Sequence, residues 1–266
     1  MTLRMMTWNI KTGGIDRGRG DRLAAIVEVI DRERPDILAL QELRDFTRHD
    51  HRRMHLLADA AGMTAHLSPA VFGQPVAVLV RPPLSLTRRK TVRWRLHHAA
   101  AVATVPLEAG RLRVVSTHLN PFSGYRRLRE ARWLAARYAS RKRLVVVAGD
   151  LNSLDPGTDH TAELARLPKP YRRRHVDAEG QVDTRAIAAF AAAGLADLWP
   201  AAGDGDGHTA PTTEGGGQEF SGMRLDYMLG SAPVAARARS LRVARGGAAE
   251  RASDHYPLIA ELDLSI

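Results

Sequence analysis

Apolar residues along this 266-residue chain gather into short runs, and many of those runs end in a small polar island. Leu3 to Ile10 reads as a strand, and a glycine-rich loop from Thr12 to Gly20 follows it. Leu23, Ile26, Val27 and Ile30 recur at helical spacing, which predicts a helix from Leu23 to Arg34 that Pro35 stops. Asp36 to Leu40 predicts a short strand, and Arg53 to Ala61 a second amphipathic helix closed by Gly62. Val76 to Val80, Ala100 to Pro106, Leu112 to Thr117 and Leu144 to Ala148 all read as strands. The last is too apolar to face water on either side. Tyr125 to Ser140 is a long helix carrying Arg126, Arg127, Arg129, Arg132 and Arg137.

Beyond Leu154 the pattern loosens. Thr184 to Ala193 predicts a helix, Gly194 to Trp199 a connector packed by Leu195 and Trp199, and the glycine-rich stretch Gly203 to Gly222 a mobile loop over one face. Leu225 to Leu229, Ala238 to Val243 and Leu258 to Leu264 complete the strands. No linker divides two cores and no short-period repeat appears, so one α/β domain over 1–266 is expected. A chain of this length buries roughly 75% of its unfolded surface and needs no staples.

Composition narrows the chemistry. The chain has no cysteine, which excludes disulfides, thiolate metal sites and cysteine nucleophiles. No run approaches the roughly 18 apolar residues of a membrane span, and the N-terminus lacks a signal-peptide pattern, so a cytoplasmic protein without an obligate protein partner is expected. The formal charge of +10 invites a polyanionic partner, yet only four of the 39 basic residues are lysine. Such arginine excess also follows from GC-rich coding.

Six islands carry the chemistry: Trp8-Asn9, Gln41-Glu42, Thr117-His118-Leu119-Asn120, Gly149-Asp150-Leu151-Asn152, Arg224-Leu225-Asp226-Tyr227 and Ser253-Asp254-His255. Asp150 and Asn152, two apart, can point the same way at a strand end, one to align or deprotonate water and the other to hold a phosphoryl oxygen. The competing reading is an Asp/Asn turn that satisfies its own backbone. Glu42 at a strand end suits Mg²⁺, which takes one or two carboxylates and keeps its waters. Asp254 and His255 pair an oxygen ligand with an imidazole that titrates near neutrality. Asp226 can orient an imidazole, or form a salt bridge with Arg224 instead. His118, taken alone, is more often a structural histidine. Three acids, Glu42, Asp150 and Asp254, brought together would raise one another's pKa unless a cation joined them.

With Asn9, Glu42, His118, Asp150, Asn152, Asp226, Asp254 and His255 in this order, and with Pro35-Asp36-Ile37-Leu38-Ala39-Leu40-Gln41-Glu42 leading into the second island, the chain resembles the endonuclease/exonuclease/phosphatase superfamily from Met5 to Ile259. The resemblance implies a four-layer sandwich: two packed mixed β-sheets flanked by helices, with the site along one edge. It implies Mg²⁺ or Mn²⁺ as cofactor. Glu42 matches the principal metal ligand, with Asn9 and Asp254 nearby, and Asp150 the residue that aligns the attacking water. Asn152 matches the phosphate-contacting amide, His255 the phosphate-binding or basic imidazole oriented by Asp226, and His118 the second histidine of some branches. Asn120 and Arg224 are candidate substrate contacts. Two departures stand out: the strand Pro75 to Arg81 lacks the small polar residue many members carry, and no carboxylate partner for His118 is evident.

The bond type implied is a phosphoester, hydrolysed by in-line water attack. A nuclease is the first reading, because the arginines of Tyr125 to Arg137, Arg88-Arg89-Lys90, Arg93-Trp94-Arg95 and Tyr171 to His175 can follow a phosphate backbone, with Trp94 and Tyr171 to stack bases. A phosphatase or phosphodiesterase acting on a small molecule or lipid headgroup is the second. A basic binding module with a relic site is the third.

Overall fold

A computed structural model describes residues 2–16 and 20–265. The first half opens with β1 (Leu3–Asn9), a small ribbon of β2 (Ile15–Asp16) and β3 (Gly20–Asp21), α1 (Leu23–Glu33) and β4 (Ile37–Gln41). It continues through α2 (Arg52–Ala61), β5 (Thr64–Ser68), β6 (Val76–Val80) and β7 (Thr87–Val92) to the hairpin of β8 (Ala100–Leu107) and β9 (Gly110–Thr117). Then come α3 (Gly124–Tyr138), β10 (Val145–Asp150), α4 (Thr161–Arg166), α5 (Lys169–Arg172) and α6 (Arg185–Ala192). The chain closes with β11 (Leu195–Asp197), α7 (Trp199–Ala202), β12 (Asp226–Ser231), α8 (Ala232–Ala235), β13 (Ala238–Val243), α9 (Ala249–Ala252) and β14 (Leu258–Leu262).

Two six-stranded mixed sheets form, in the orders β13-β14-β1-β4-β6-β5 and β11-β12-β10-β9-β8-β7. Each is built around one parallel pair, β1 with β4 and β9 with β10, and every other pairing within them is antiparallel. The sheets pack face to face, with β1 opposite β10 and β4 opposite β9. Their shared core alternates along the strands: Leu3, Met5, Ile37, Ala39, Val76 and Val78 meet Ala101, Val114, Val146 and Met228. The residues between them turn outward, where Met6, Trp8, Leu38 and Leu40 pack under α1, α2 and α9. On the other side Val115, Val145 and Val147 pack under α3 and α6. This is the helix–sheet–sheet–helix sandwich expected.

Five strands were not expected, the short β2–β3 ribbon among them. β7 is exposed over Thr87–Thr91 and buries only Val92, β5 is half-buried, and β11 sits where a connector was read. Part of the predicted loop Thr12 to Gly20 lies outside the described residues. The predicted mobile loop Gly203 to Gly222 has no regular element, yet it is fastened down: Thr209, Ala210 and Thr212 are buried, and Ala210 bridges Met223. No helix among the described residues is long and apolar enough to cross a membrane.

Candidate active site

The topology brings the islands together. Parallel strands β1, β4, β9 and β10 all end on one rim, where they deliver Asn9, Glu42, His118 and Asp150. Strands running the opposite way begin there, so β12 starts with Asp226 and β14 follows Asp254 and His255. Asp150 and Asp226 are direct partners in the ladder. Gly149 allows the close approach that this needs: its φ is 145°, and a Cβ there would stand 1.8 Å from the Thr117 carbonyl oxygen. Gln41 ties the sheets just beneath the rim, its side-chain amide donating to Thr7 Oγ1 and to Ser116 Oγ at 3.2 Å each.

Asn9 is the hub. Its Nδ2 donates to Asp150 Oδ2 at 3.0 Å and to Glu42 Oε1 at 3.2 Å, while its Oδ1 accepts from the Lys11 backbone. Glu42 Oε2 accepts from the Thr12 backbone at 2.9 Å and from Gln74 Nε2 at 2.8 Å. Gln74, just before β6, thus supplies a polar contact at the strand whose small polar residue is missing. Burial works against a charged Glu42, but the neighbouring His118 and these three donors outweigh it and hold the carboxyl below its ordinary range.

Asp150 receives the Asn152 backbone N–H on Oδ1 at 2.9 Å. Its Oδ2 lies 3.3 Å from His118 Nε2 and 3.8 Å from His255 Nε2. Burial raises the Asp150 pKa, and Asp226 adds to that while His118 and His255 oppose it. Asn152 Nδ2 sits 2.9 Å from His118 Nε2 and donates to the Leu119 carbonyl at 3.2 Å. His118 stacks flat on His98 at 3.9 Å, and its Nδ1 is buried without a partner. The carboxylate beside His118 is therefore Asp150 itself.

His255 Nδ1 lies 2.7 Å from Asp226 Oδ2, and Phe220 of the glycine-rich segment meets the ring edge-on at 5.2 Å. Burial alone would strip the proton from His255. The Asp226 and Asp150 carboxylates overcome that and push its pKa up to about 10. Thr209 Oγ1 accepts the Leu225 and Asp226 N–H groups, so the same segment also braces the carboxylate that orients the ring. Asp254 is raised by burial, with Glu42 adding to the effect, while His255 and Lys11 oppose it. Lys11 Nζ stands 3.3 Å from Asp254 Oδ2 and donates to the Gly215 carbonyl at 2.8 Å.

Among the described residues no three His, Cys, Asp or Glu side chains form a ready-made metal cage. The donor set nonetheless fits a hard divalent cation: the half-buried Glu42 and buried Asp254 carboxylates close enough to sense each other's charge, the Asn9 amide beside them, and no thiolate. Magnesium, which keeps most of its waters, asks for no more protein ligands than these.

The two candidate substrate contacts make structural bonds of their own, and Asn120 also lines the recess beside His97. Arg224 is buried in ion pairs with Asp197 at 2.7 Å and Asp155 at 3.1 Å and stacks on Tyr227 at 4.4 Å, so the salt bridge to Asp226 does not form. Asn120 Oδ1 accepts the Phe122 and Ser123 N–H groups and shapes the entry to α3. Sequence reading missed Lys11, Gln74 and His98. Lys11, two residues after Asn9, was the one with a positional signal.

A model of the Endonuclease/Exonuclease/phosphatase family matches residues 6–255. No curated protein matches in sequence. Among solved structures, an endonuclease/exonuclease/phosphatase from Bacteroides vulgatus is similar with a TM-score of 0.72 at 16% identity, covering 100% of both chains. Truncated Caenorhabditis elegans TDP2 gives 0.67 at 19% identity, covering 100% of this chain and 98% of that one. A mannosyl-6-phosphatase from Bacteroides thetaiotaomicron gives 0.70 at 13% identity, covering 99% and 100%.

Proposed function

Because the chain belongs to the endonuclease/exonuclease/phosphatase family and is thereby a phosphoester hydrolase, we propose that it is a Mg²⁺- or Mn²⁺-dependent phosphodiesterase whose substrate is a nucleic acid. The observation that carries the reading is the Asp226–His255–Asp150 line, a buried imidazole held between two carboxylates at 2.7 and 3.8 Å. Asp226 fixes the ring with one nitrogen toward the site, and the surrounding charge keeps it an imidazolium. Such a group binds a phosphoryl oxygen and stabilises the charge that builds on it. Asp150 aligns the attacking water and accepts its proton, which its raised pKa favours. Asn152 places its amide on a second phosphoryl oxygen, with His118 held beside it. Glu42, Asn9 and Asp254 would hold the metal, which when bound polarises the phosphoryl group and offsets the negative charge of the leaving oxygen.

A diester rather than a monoester is favoured by what borders the site. Phe72, Trp94, Phe122 and Tyr125 are all exposed on the flank beside His97 and His98, interleaved with Arg95, Arg126 and Arg129. Bases stack on such faces while arginines meet phosphates. The reading is tested by turnover of bis-p-nitrophenyl phosphate with Mg²⁺ or Mn²⁺, together with cleavage of DNA and RNA. Asp150→Ala should abolish both. Release of phosphate from sugar phosphates without any cleavage of nucleic acid would overturn it in favour of a small-molecule phosphatase, and metal binding without turnover in favour of a binding module.

A further inference from the structure

The aromatic flank beside the site is the first of two recesses that share one face of α3. It encloses about 640 Å³ between the segment Trp94 to His97 and the helix, which lines it with Arg126, Arg129, Glu130 and Trp133. The second recess, about 740 Å³, opens where the outer face of the second sheet runs past the end of α3. Arg88 and Lys90 of β7, Arg111 and Arg113 of β9, and Arg137 and Arg143 surround it, and no carboxylate lines it. Positions 126, 129, 133 and 137 lie on one side of a helix, and the Trp133 and Tyr138 rings meet edge-on at 6.1 Å where the recesses adjoin. From Arg126 to Arg137 the helix rises about 16 Å, the axial length of about five stacked nucleotides.

Two observations mark this channel as built for an anion. Many arginines elsewhere on the molecule, among them Arg4, Arg22, Arg32, Arg53, Arg242 and Arg245, are ion-paired, whereas among the described residues none of the ten cations lining the two recesses has a carboxylate partner. Packing this many unpaired cations around concave surfaces opposes folding by mutual repulsion, and a bound polyanion removes that repulsion. In addition, the Tyr138 hydroxyl lines the far recess, buried and without a hydrogen-bond partner.

We propose that α3 and the β7 edge form an exit track for a single strand of nucleic acid, which leaves the catalytic rim across Trp94 and Trp133 and ends with its phosphates in the Arg88–Arg113–Arg143 recess. The inference rests on the phosphodiesterase reading and names its substrate class. Unpaired bases have free faces for the exposed Trp94 and half-exposed Trp133. A duplex, whose bases already cover one another, has none to offer.

The test is fluorescence anisotropy of labelled oligothymidylates of two, four, eight and twelve nucleotides, with EDTA present to prevent cleavage, across a series of salt concentrations. Affinity should climb with length and level off near eight. The triple variant Lys90→Ala/Arg137→Ala/Arg143→Ala, all exposed positions, should bind the octamer at least about tenfold more weakly. It should also flatten the slope of log affinity against log salt by about 2, near 0.7 for each lost phosphate contact. Trp94→Ala should cost about tenfold on the octamer. The triple variant should change neither dinucleotide affinity nor turnover of bis-p-nitrophenyl phosphate. The track is overturned if the triple variant leaves octamer affinity and salt slope unchanged, or if wild-type protein binds a hairpin duplex, tripolyphosphate or anionic vesicles as tightly as the octamer. Loss of ester turnover with length-dependent binding intact would instead sink the catalytic reading alone.

Discussion

Glu42 and Asn152 hold φ at 59° and 50°, in the left-handed region that side chains avoid. Asparagine tolerates it, but for glutamate the conformation costs on the order of 1 kcal/mol. The strain sits where two carboxylates, Glu42 and Asp254, already repel, so this position serves chemistry at the expense of stability. Glu42→Gln keeps the shape and removes the charge. It should lower ester turnover by at least about 100-fold, far out of proportion to a modest fall in melting temperature from the weakened Thr12 and Gln74 hydrogen bonds, as read by kinetics beside a thermal melt. Turnover per folded molecule left unchanged would mean that the carboxylate is purely structural. Gly149 is the opposite case, a residue chosen for what it lacks. Gly149→Ala drives a methyl into the Thr117 carbonyl and should cost on the order of 3 kcal/mol in denaturant unfolding.

At the scale of elements, what was legible in the sequence followed burial. β6 falls where its apolar run places it, and so do the strand ends that present Asn9, Glu42 and Asp150. β7 was invisible because Thr87 to Thr91 face solvent and the strand exists only through its ladder to β8. Arg224 was misread for a related reason: its partners Asp155 and Asp197 come from distant segments, and nothing local announces them. Removing a buried partner leaves uncompensated charge, so Arg224→Ala should lose about 3–5 kcal/mol of stability by denaturant titration, with turnover per folded molecule unchanged. His118 gained its carboxylate neighbour from another strand, which one sequence does not reveal.

Glu130 of α3 is a further long-range tie, taking the His97 and Asn120 backbone N–H groups at 2.7 Å each. Burial pushes its pKa up to about 7 against an ordinary 4.5, although both N–H groups oppose the shift. Folded protein therefore binds this proton more tightly than unfolded protein does. The associated stability is complete below pH 4.5 and is lost as pH rises through 7, about 3 kcal/mol in all. Unfolding titrations at pH 5 and 8 should show that drop, and Glu130→Gln should erase it. A Glu130→Gln profile parallel to wild type would refute the assignment.

For the molecule as a whole, the +10 charge is less informative than its placement. Ion pairs absorb many arginines around the first sheet, while those along α3 and β7 stay free. Charge placed so draws a polyanion to one flank, and its on-rate should fall steeply with salt. The rim itself has a different whole-molecule property. Asn9, Glu42, Asp254 and His255 hang from one sheet, and His118, Asp150, Asn152 and Asp226 from the other, joined by the Asn9–Asp150 and His255–Asp226 contacts. The reactive centre is therefore a seam, and it exists only while the two halves are in registry. A slide of one half past the other by a single side chain would silence the enzyme with every strand still intact, so catalysis should act as a gauge of inter-sheet shear. In graded urea, turnover should vanish at or before the far-ultraviolet signal of the strands, and any ligand gripping both halves should rivet them together.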